Sequence, residues 1–145
     1  MKTEAKSEAE VLMNDGITFA QRMLREHGEF HPFARALDAG GNIRSVAAFD
    51  GREFPPGSEA LEYLESALRN SVREEGHVAV AVLSNVTVKD QRNGEALDAV
   101  RVGLEHHSGY VVDVFFPYRL VAGEVAFGDL FAGPRVPTIY VTQES

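Results

Sequence analysis

Residues 77–120 decide the fold that this sequence predicts: HVAVAVLSNVTVKDQRNGEALDAVRVGLEHHSGYVVDVFFPYRL. Two short segments within it, Arg92-Asn93-Gly94 and His107-Ser108-Gly109, each place a glycine where a three-residue hairpin loop needs a left-handed residue. Two such loops join three long strands, His77 to Lys89, Ala96 to His106 and Tyr110 to Leu120, into an antiparallel meander. Because side chains alternate across a strand, the loop lengths also predict the register.

The predicted register divides the side chains of the meander between two faces. One face is apolar and includes His106. The three rows of facing residues on it are Val86–Val100–Phe116, Val82–Leu104–Val112 and Val80–His106–Tyr110. The opposite face is mixed in character and is expected to carry Ala79, Ala81, Leu83, Asn85, Arg101, Gly103, Glu105, Val111, Asp113 and Phe115.

The rest of the chain supplies two helices and shorter strands. Apolar residues recur at helical spacing from Glu4 to His27, and Gly16 within that stripe predicts a close helix contact or a break. A second helix is expected from an N-cap at Ser58 to Gly76. The remaining predicted segments are strands Phe33–Leu37 and Ile43–Phe49, a loop at Asp50–Gly57, a turn at Ala122-Gly123, a strand at Glu124–Phe127 and an edge strand at Thr138–Thr142.

This order of elements predicts an α+β fold with a single antiparallel sheet. The sheet would combine the N-terminal hairpin with the C-terminal meander, and both helices would pack on one face of it. Since no linker, repeat or low-complexity segment interrupts the chain, we expect one domain over residues 1–145, with residues 1–6 frayed.

Composition excludes several classes of function. A chain without cysteine has no disulfides, no thiolate metal ligands and no cysteine nucleophile. The net charge of −8 and the scattered 14 basic residues argue against a nucleic-acid partner. No apolar stretch approaches the ~20 residues of a membrane span, and the N-terminal residues lack the apolar segment of a signal peptide, so a cytoplasmic location without membrane partners is expected. No nucleotide-binding or catalytic motif predicts a cofactor.

The candidate site is the cluster Glu105-His106-His107 together with Tyr110 and Asp113. Strand alternation separates this cluster, because His106 belongs to the apolar face while Glu105 and Asp113 belong to the other. A metal ion needs at least three converging ligands, so no metal site is expected here. For Asp113 we prefer a diagonal cross-strand ion pair with Arg101.

His106 has two interpretations. The preferred one is a partly buried histidine that is hydrogen-bonded to a backbone carbonyl or to the Tyr110 hydroxyl, because buried polar groups need partners. The alternative is a titratable group at the mouth of a ligand pocket that includes Tyr110, Glu105, His107 and Asp113. Ser108 is interpreted as a turn residue.

Two segments, residues 30–41 (FHPFARALDAGG) and residues 102–110 (VGLEHHSGY) followed by Phe116-Pro117-Tyr118, resemble small bacterial proteins of uncharacterised function. The resemblance covers most of the chain from Phe30 onward, and it implies a bacterial source without any particular activity. The order of elements also resembles that of profilin-like and roadblock-like domains, which serve as sensors and dimerisation modules. That resemblance implies architecture only.

We therefore expect a non-catalytic cytoplasmic domain that binds a partner protein or a small ligand as a homodimer. The reason is the mixed sheet face, whose apolar members Ala79, Ala81, Leu83, Val111 and Phe115 would otherwise form an exposed patch. The alternative is a metal-assisted or acid–base hydrolase that uses His106 or His107 with Glu105 and Asp113. These hypotheses differ in whether the polar side chains converge in space.

Overall fold

The chain folds in the order helix, two strands, helix and five further strands. The computed structural model describes residues 2–46, 57–90 and 92–140, and in these ranges it contains two helices and seven strands. The elements are α1 (Lys2–His27), β1 (Phe33–Leu37), β2 (Ile43–Val46), α2 (Gly57–Glu75), β3 (Ala79–Lys89), β4 (Ala96–His106), β5 (Val111–Val121), β6 (Glu124–Phe127) and β7 (Phe131–Gly133). Neither helix combines the length and the apolar character that crossing a membrane requires.

The strands form one antiparallel sheet in the order β2-β1-β3-β4-β5-β6, with β7 also paired to β5. The predicted α+β class with a single antiparallel sheet is therefore confirmed. The predicted extension of β2 over residues 47–49 and the predicted loop over residues 50–56 lie outside the described residues. Helix α2 begins at Gly57, and the side chain of the predicted cap Ser58 also lies outside them.

The register of the second predicted hairpin, between β4 and β5, is confirmed. Val100 pairs with Phe116 and Leu104 pairs with Val112. At the turn, the Gly109 N–H donates to the His106 carbonyl at 2.9 Å, and Gly109 has a φ of 104°. Only glycine adopts this conformation without strain, so the turn holds its three-residue length.

The register of the first hairpin, between β3 and β4, differs from the prediction by one residue. Val86 pairs with Ala99 rather than Val100. The loop holds four residues, 91–94, because the Asp90 N–H closes it by donating to the Glu95 carbonyl at 2.7 Å. The carboxylate of Asp90 accepts the Arg92 N–H at 2.8 Å, and the amide oxygen of Asn93 accepts the Glu95 N–H at 2.9 Å. Both side chains thereby stabilise a wider turn than the glycine alone predicts.

Because of this shift, each side chain of β3 lies on the face of the sheet opposite to the predicted one. Ala79 pairs with His106 and shares its face, whereas Val80 pairs with Glu105. The first six residues of β3 are all buried, so the strand is covered on both sides. The expected apolar patch of Ala79, Ala81 and Leu83 is therefore wrong, because these residues are buried in the core beneath α1.

The two helices lie on opposite faces of the sheet, which corrects the expectation that both pack on one face. On the first, the α1 face, Leu12 and Leu24 pack with Leu83 and Leu104. On the second, the α2 face, Leu64 and Leu68 pack against Ala34, Ala36, Val80 and Val82. The alternation of β1 and the double burial of β3 give both helices an apolar surface to cover.

Gly16 is the point of closest approach between α1 and the sheet, as the sequence predicts for a glycine within the apolar stripe. A Cβ atom at this position would lie 2.7 Å from Cδ1 of Leu83. Leu83 is fully buried, so its side chain has little freedom to move away.

A bulge separates β6 from β7 along the edge of β5. The Gly128 N–H donates to the Pro117 carbonyl, while Phe131 pairs with Phe115, so residues 129 and 130 together face residue 116 alone. Because of this extra residue, the side chains of β7 lie on the face opposite to the one that uninterrupted alternation from β6 would give. As a result, the ring of Phe131 stacks on that of Phe115, with centroids 5.0 Å apart.

The predicted edge strand at Thr138–Thr142 is wrong for its described part. Residues 138–140 form a bend, and residues 141–142 lie outside the described residues. The last strand of the described chain is β7, which pairs with β5. The bend exists because the backbone N–H groups of residues 138–140 bind a side chain, Glu105, rather than another strand.

Candidate functional site

The predicted site residues separate into two groups on opposite faces of the sheet. His106, His107 and Tyr110 line a cleft between the N-terminal part of α1 and the β4–β5 turn, which we call the hairpin cleft. Its volume is about 760 Å³, and it is lined by Glu4, Ala5, Glu8, His106, His107, Ser108, Gly109, Tyr110 and Val111. Glu105 and Asp113 lie on the α2 face and do not contribute to it.

His106 is buried, with 5% of its surface exposed, and both ring nitrogens have partners. Nε2 lies 2.8 Å from a carboxylate oxygen of Glu8, and Nδ1 lies 2.8 Å from Oγ of Ser108. The expected partners, a backbone carbonyl or the Tyr110 hydroxyl, are therefore replaced by Ser108 and Glu8. The backbone N–H of Ser108 also donates to Nδ1, at 3.1 Å.

These hydrogen bonds assign the tautomer of His106. An N–H group can only donate, so Nδ1 must accept and carries no hydrogen in the neutral ring. The ring hydrogen is then on Nε2 and is donated to Glu8. The lone pair of Nδ1 points toward the turn, where both the N–H and the hydroxyl of Ser108 lie within hydrogen-bonding distance.

The other two predicted site residues in the hairpin cleft, His107 and Tyr110, are aromatic. The exposed ring of His107 lies beside that of His106, with centroids 4.7 Å apart. Burial raises the pKa of the partly buried Tyr110, and the negative charge of Glu10 raises it further. Tyr110 therefore stays a neutral phenol throughout the physiological range.

Glu105 is fully buried and has a structural role. Its carboxylate accepts hydrogen bonds from the backbone N–H groups of Thr138, Ile139 and Tyr140 at 2.9–3.0 Å, and from Nε of Arg135 at 2.9 Å. Burial by itself raises the pKa of Glu105, but these N–H groups and the Arg135 charge outweigh it and hold the pKa below its ordinary value. The carboxylate is thus ionised, and it anchors residues 135–140 to the sheet.

Asp113 belongs to the same buried network. The predicted ion pair with Arg101 is confirmed, with Nη2 and Oδ2 2.8 Å apart. Arg135 forms a second pair with Asp113 at 3.0 Å and so bridges Asp113 to Glu105. Arg135 reaches this position because Gly103 has no side chain: a Cβ atom there would lie 2.3 Å from its Nη1.

The predicted cluster therefore does not converge on a metal or a substrate. Within residues 2–46, 57–90 and 92–140, no three His, Asp or Glu side chains are placed to hold a metal ion together. The carboxylates of Glu105 and Asp113 are neutralised by arginines and turned away from His106. The arrangement does not bring His106 together with Glu105 and Asp113, as the hydrolase alternative requires of it.

A second cleft lies at the far end of the sheet from His106 and was not predicted. This distal cleft has a volume of about 770 Å³ and is lined by Lys89, Asp90, Arg92, Leu97, Pro117, Tyr118, Arg119, Ala126, Phe127, Gly128, Asp129, Leu130, Phe131 and Ala132. It lies beside the bulge that separates β6 from β7.

The distal cleft has an apolar wall and a rim of mixed charge, in which three cations, Lys89, Arg92 and Arg119, outnumber two carboxylates, Asp90 and Asp129. Leu130 and Phe131 are neighbours in the chain and are 55% and 38% exposed, so together they form a small apolar patch on the wall of the cleft. The exposed side chains of Lys89, Arg92 and Arg119 lie around them. The sequence does not reveal this cleft, because the bulge that turns Phe131 toward Phe115 leaves no signal besides the neighbouring glycines Gly128 and Gly133.

Comparison with known proteins identifies no relative. No protein family model, no curated protein and no solved structure matches the chain. The two clefts are therefore the basis for inferring a function.

Proposed function

We propose that the protein is a binding domain that takes a small organic anion with an apolar part into the distal cleft, without catalysis at that site. The observation that carries the proposal is an exposed apolar wall, Leu130 and Phe131, in a cleft that has three cations against two carboxylates, on a chain of net charge −8. Clefts with apolar walls and a few polar groups are the usual form of small-molecule sites.

The apolar wall supplies the binding free energy. Covering apolar surface is worth roughly 25 cal/mol per Å², so a hydrocarbon chain on Leu130 and Phe131 gains several kcal/mol before its losses of freedom are counted. Phe131 is held in place by its stacking on Phe115 and by the pairing of β7 with β5. The wall is thus preformed, which lowers the entropic cost of binding.

The cations select the charge of the ligand. The protein as a whole repels anions, but at physiological ionic strength this repulsion is screened beyond about 8 Å, so nearby charges decide. Arg92 is paired with Asp90 at 3.8 Å in an exposed position, and such pairs are weak enough to exchange partners. Lys89 and Arg119 add two more exposed positive charges to the rim.

A second copy of the chain or a protein partner is the other occupant to consider for this surface. The patch that suggested a homodimer from the sequence is largely buried beneath α1, so Leu130 and Phe131 are the apolar residues that a partner would cover. The expected cytoplasmic location stays part of the proposal.

The test is a titration with three amphiphiles of equal chain length, each below its micelle concentration: dodecanoate, dodecanol and dodecyltrimethylammonium. Calorimetry should show that dodecanoate binds most tightly. Arg119→Ala and Leu130→Ser should each weaken its binding at least about fivefold, a loss of ~1 kcal/mol. Two control variants remove similar groups elsewhere, Arg73→Ala on α2 and Leu120→Ser, an exposed leucine of β5 outside the cleft, and should bind like wild type.

Equal affinity for the cationic and the anionic amphiphile would contradict the proposal. So would a dimer, measured by light scattering, that Leu130→Ser dissociates while dodecanoate has no effect. That result would assign the surface to a second copy of the chain.

A further inference from the structure

The hairpin cleft contains a hydroxyl, an imidazole and a carboxylate, and the imidazole contacts each of the other two groups through a different ring nitrogen. Ser108 Oγ lies 2.8 Å from Nδ1 of His106, and Nε2 of the same ring lies 2.8 Å from Glu8. We infer that Ser108 is a nucleophile, that His106 is its general base, and that the protein transfers acyl groups from small esters to water in this cleft. This activity is separate from binding in the distal cleft.

The tautomer of His106 is the one that this chemistry requires. The single lone pair of Nδ1 faces the turn, where it is shared between the Ser108 N–H at 3.1 Å and the closer Ser108 hydroxyl at 2.8 Å, whose proton it can accept. Glu8 accepts the Nε2 hydrogen, and it stabilises the imidazolium that forms when the proton is transferred. Glu8 is a positioning residue, since it acts through His106.

Burial and exposure are distributed as a nucleophilic site needs. The imidazole is 5% exposed, whereas the Glu8 side chain that accepts its Nε2 hydrogen is 44% exposed. Ser108 is exposed on the three-residue turn, at the surface that a substrate can reach. The left-handed Gly109 and the hydrogen bond from its N–H to the His106 carbonyl fix the turn.

A second serine–histidine contact shows what a structural pair looks like in this protein. Ser71 Oγ lies 2.8 Å from Nε2 of His77, and it donates to Glu75 at 2.9 Å. Here the Glu75 carboxylate and the serine both lie beside Nε2 of His77, the carboxylate at 3.6 Å, and Nδ1 of His77 is buried with no partner among the described residues. Of these two groups, the Ser108 group is the one in which the hydroxyl and the carboxylate contact different nitrogens of the ring.

The reaction proceeds in two balanced steps. Ser108 Oγ forms a bond to the carbonyl carbon of the ester while its proton passes to Nδ1 of His106. The carbon–oxygen bond to the alcohol then breaks, and the alcohol leaves with that proton. In the second step water gives a proton to Nδ1 and attacks the acyl-serine, which releases the carboxylic acid and returns the proton to Ser108 Oγ. The net change is one ester and one water to one acid and one alcohol.

The lining of the cleft limits the class of ester. The carboxylates of Glu4 and Glu8 face it from α1, and the aromatic rings of His107 and Tyr110 face it from the hairpin. Negative charge next to the nucleophile repels anionic substrates, and aromatic rings attract cations. The expected substrates are therefore esters that are neutral or positively charged.

The probe is p-nitrophenyl acetate, which releases a coloured phenolate when it transfers its acetyl group. The full chain should release one equivalent rapidly, and peptide mapping should place one acetyl group on Ser108. Ser108→Ala should abolish both signals, and His106→Phe should slow acylation about 100-fold or more. Ser71→Ala, which removes the other histidine-bonded hydroxyl, should react like wild type.

A fluorophosphonate probe is the second measurement, because it modifies activated serines and does not depend on turnover. It should label Ser108 in wild type and in Ser71→Ala, but not in His106→Phe. Circular dichroism of each variant checks that the fold is retained. Acetyl groups on His107 or on lysines with an unmodified Ser108 would overturn the inference, as would labelling of Ser108 no faster than that of a serine in a short peptide.

Glu8→Gln separates positioning from mere packing. The acylation rate should fall about tenfold, which is less than the loss from His106→Phe. Glu8→Asp, which keeps a carboxylate at this position, should retain more of the acylation rate than Glu8→Gln does. An unchanged rate in Glu8→Gln, or equal losses in Glu8→Gln and Glu8→Asp, would contradict the role of Glu8.

Discussion

The carboxylate of Glu105 accepts a 2.9 Å hydrogen bond from the backbone N–H of Ile139, which lies 34 positions later in the chain. The same carboxylate accepts the N–H groups of Thr138 and Tyr140. A bend in the chain presents all three donors to one buried charge, in the way that loops bind anions. One side chain of β4 therefore anchors the last described residues to the α2 face.

Glu105→Gln should destabilise the protein. The amide keeps the size of the side chain but loses the charge opposite Arg135, and its NH₂ group cannot accept from the backbone donors. Arg135 would keep only one of its two buried carboxylate partners, Asp113. We expect this to cost about 3 kcal/mol in the free energy of unfolding. Urea unfolding measures this loss, with Glu124→Gln at the exposed start of β6 as the control. A loss no larger than that of the control would show that the anchor does not matter for stability.

Stability should fall at low pH because Glu105 must be protonated. Its folded-state pKa is held below the ordinary value of 4.5, since the three backbone N–H groups and Arg135 outweigh the effect of burial. A carboxyl with a lowered folded pKa contributes stability that is complete above its unfolded pKa and is lost as the pH falls through its folded pKa. The difference in unfolding free energy between wild type and Glu105→Gln should thus be constant near neutrality and shrink below about pH 4.5. A constant difference down to pH 3 would contradict the assignment.

Gly103→Ala should displace Arg135 from the buried network. The added Cβ would lie 2.3 Å from Nη1 of Arg135, and the backbone of β4 cannot shift without breaking its pairs on both sides. We expect a loss of about 2–3 kcal/mol in unfolding free energy, the range for overpacking a core. Gly128→Ala is the matched control, because its Cβ would meet only ordinary contacts with Pro117 at 3.9 Å. Similar urea midpoints for the two variants would rule out the close packing described for Gly103.

The difference between the two hairpins explains how much of the fold the sequence could predict. At the β4–β5 turn, Gly109 and the alternation of both strands indicate the same register, and that register is correct. β3 is buried on both faces, so its apolar residues fit either register equally well. The deciding interactions are the hydrogen bonds of Asp90 and Asn93 to their own loop, which a count of loop residues does not include.

The candidate site was predictable only where its contacts are local. The pair Arg101–Asp113 follows from the register of one hairpin, and it was predicted. Glu8 meets His106 across 98 positions of sequence, and this contact depends on how α1 lies on the sheet. Arg135 enters the network through the space at Gly103, which looked like an ordinary glycine within a strand.

Engineered cysteine pairs can test the corrected register directly, since the chain has no cysteine of its own. Val86 and Ala99 are paired and point to the same face, so Val86→Cys with Ala99→Cys should form a disulfide under mild oxidation. Val86→Cys with Val100→Cys should not, because adjacent residues of a strand point to opposite faces. The measurement is free-thiol titration of the folded protein. Cross-linking of the second pair alone would restore the three-residue loop and refute the observed register.

Gly16→Ala should show opposite effects in two backgrounds. In wild type the added methyl group would lie 2.7 Å from Cδ1 of the buried Leu83, so the variant should lose about 1–2 kcal/mol of unfolding free energy. Leu83→Ala removes the clashing atoms at its own cost of about 2–5 kcal/mol. In that background the same Gly16→Ala should gain about 0.5–1 kcal/mol, because alanine is the better helix former. Urea unfolding of the four proteins in a double-mutant cycle measures the coupling between the two positions. If Gly16→Ala has the same effect with and without the Leu83 side chain, the contact between α1 and β3 at this point does not limit the packing of the helix.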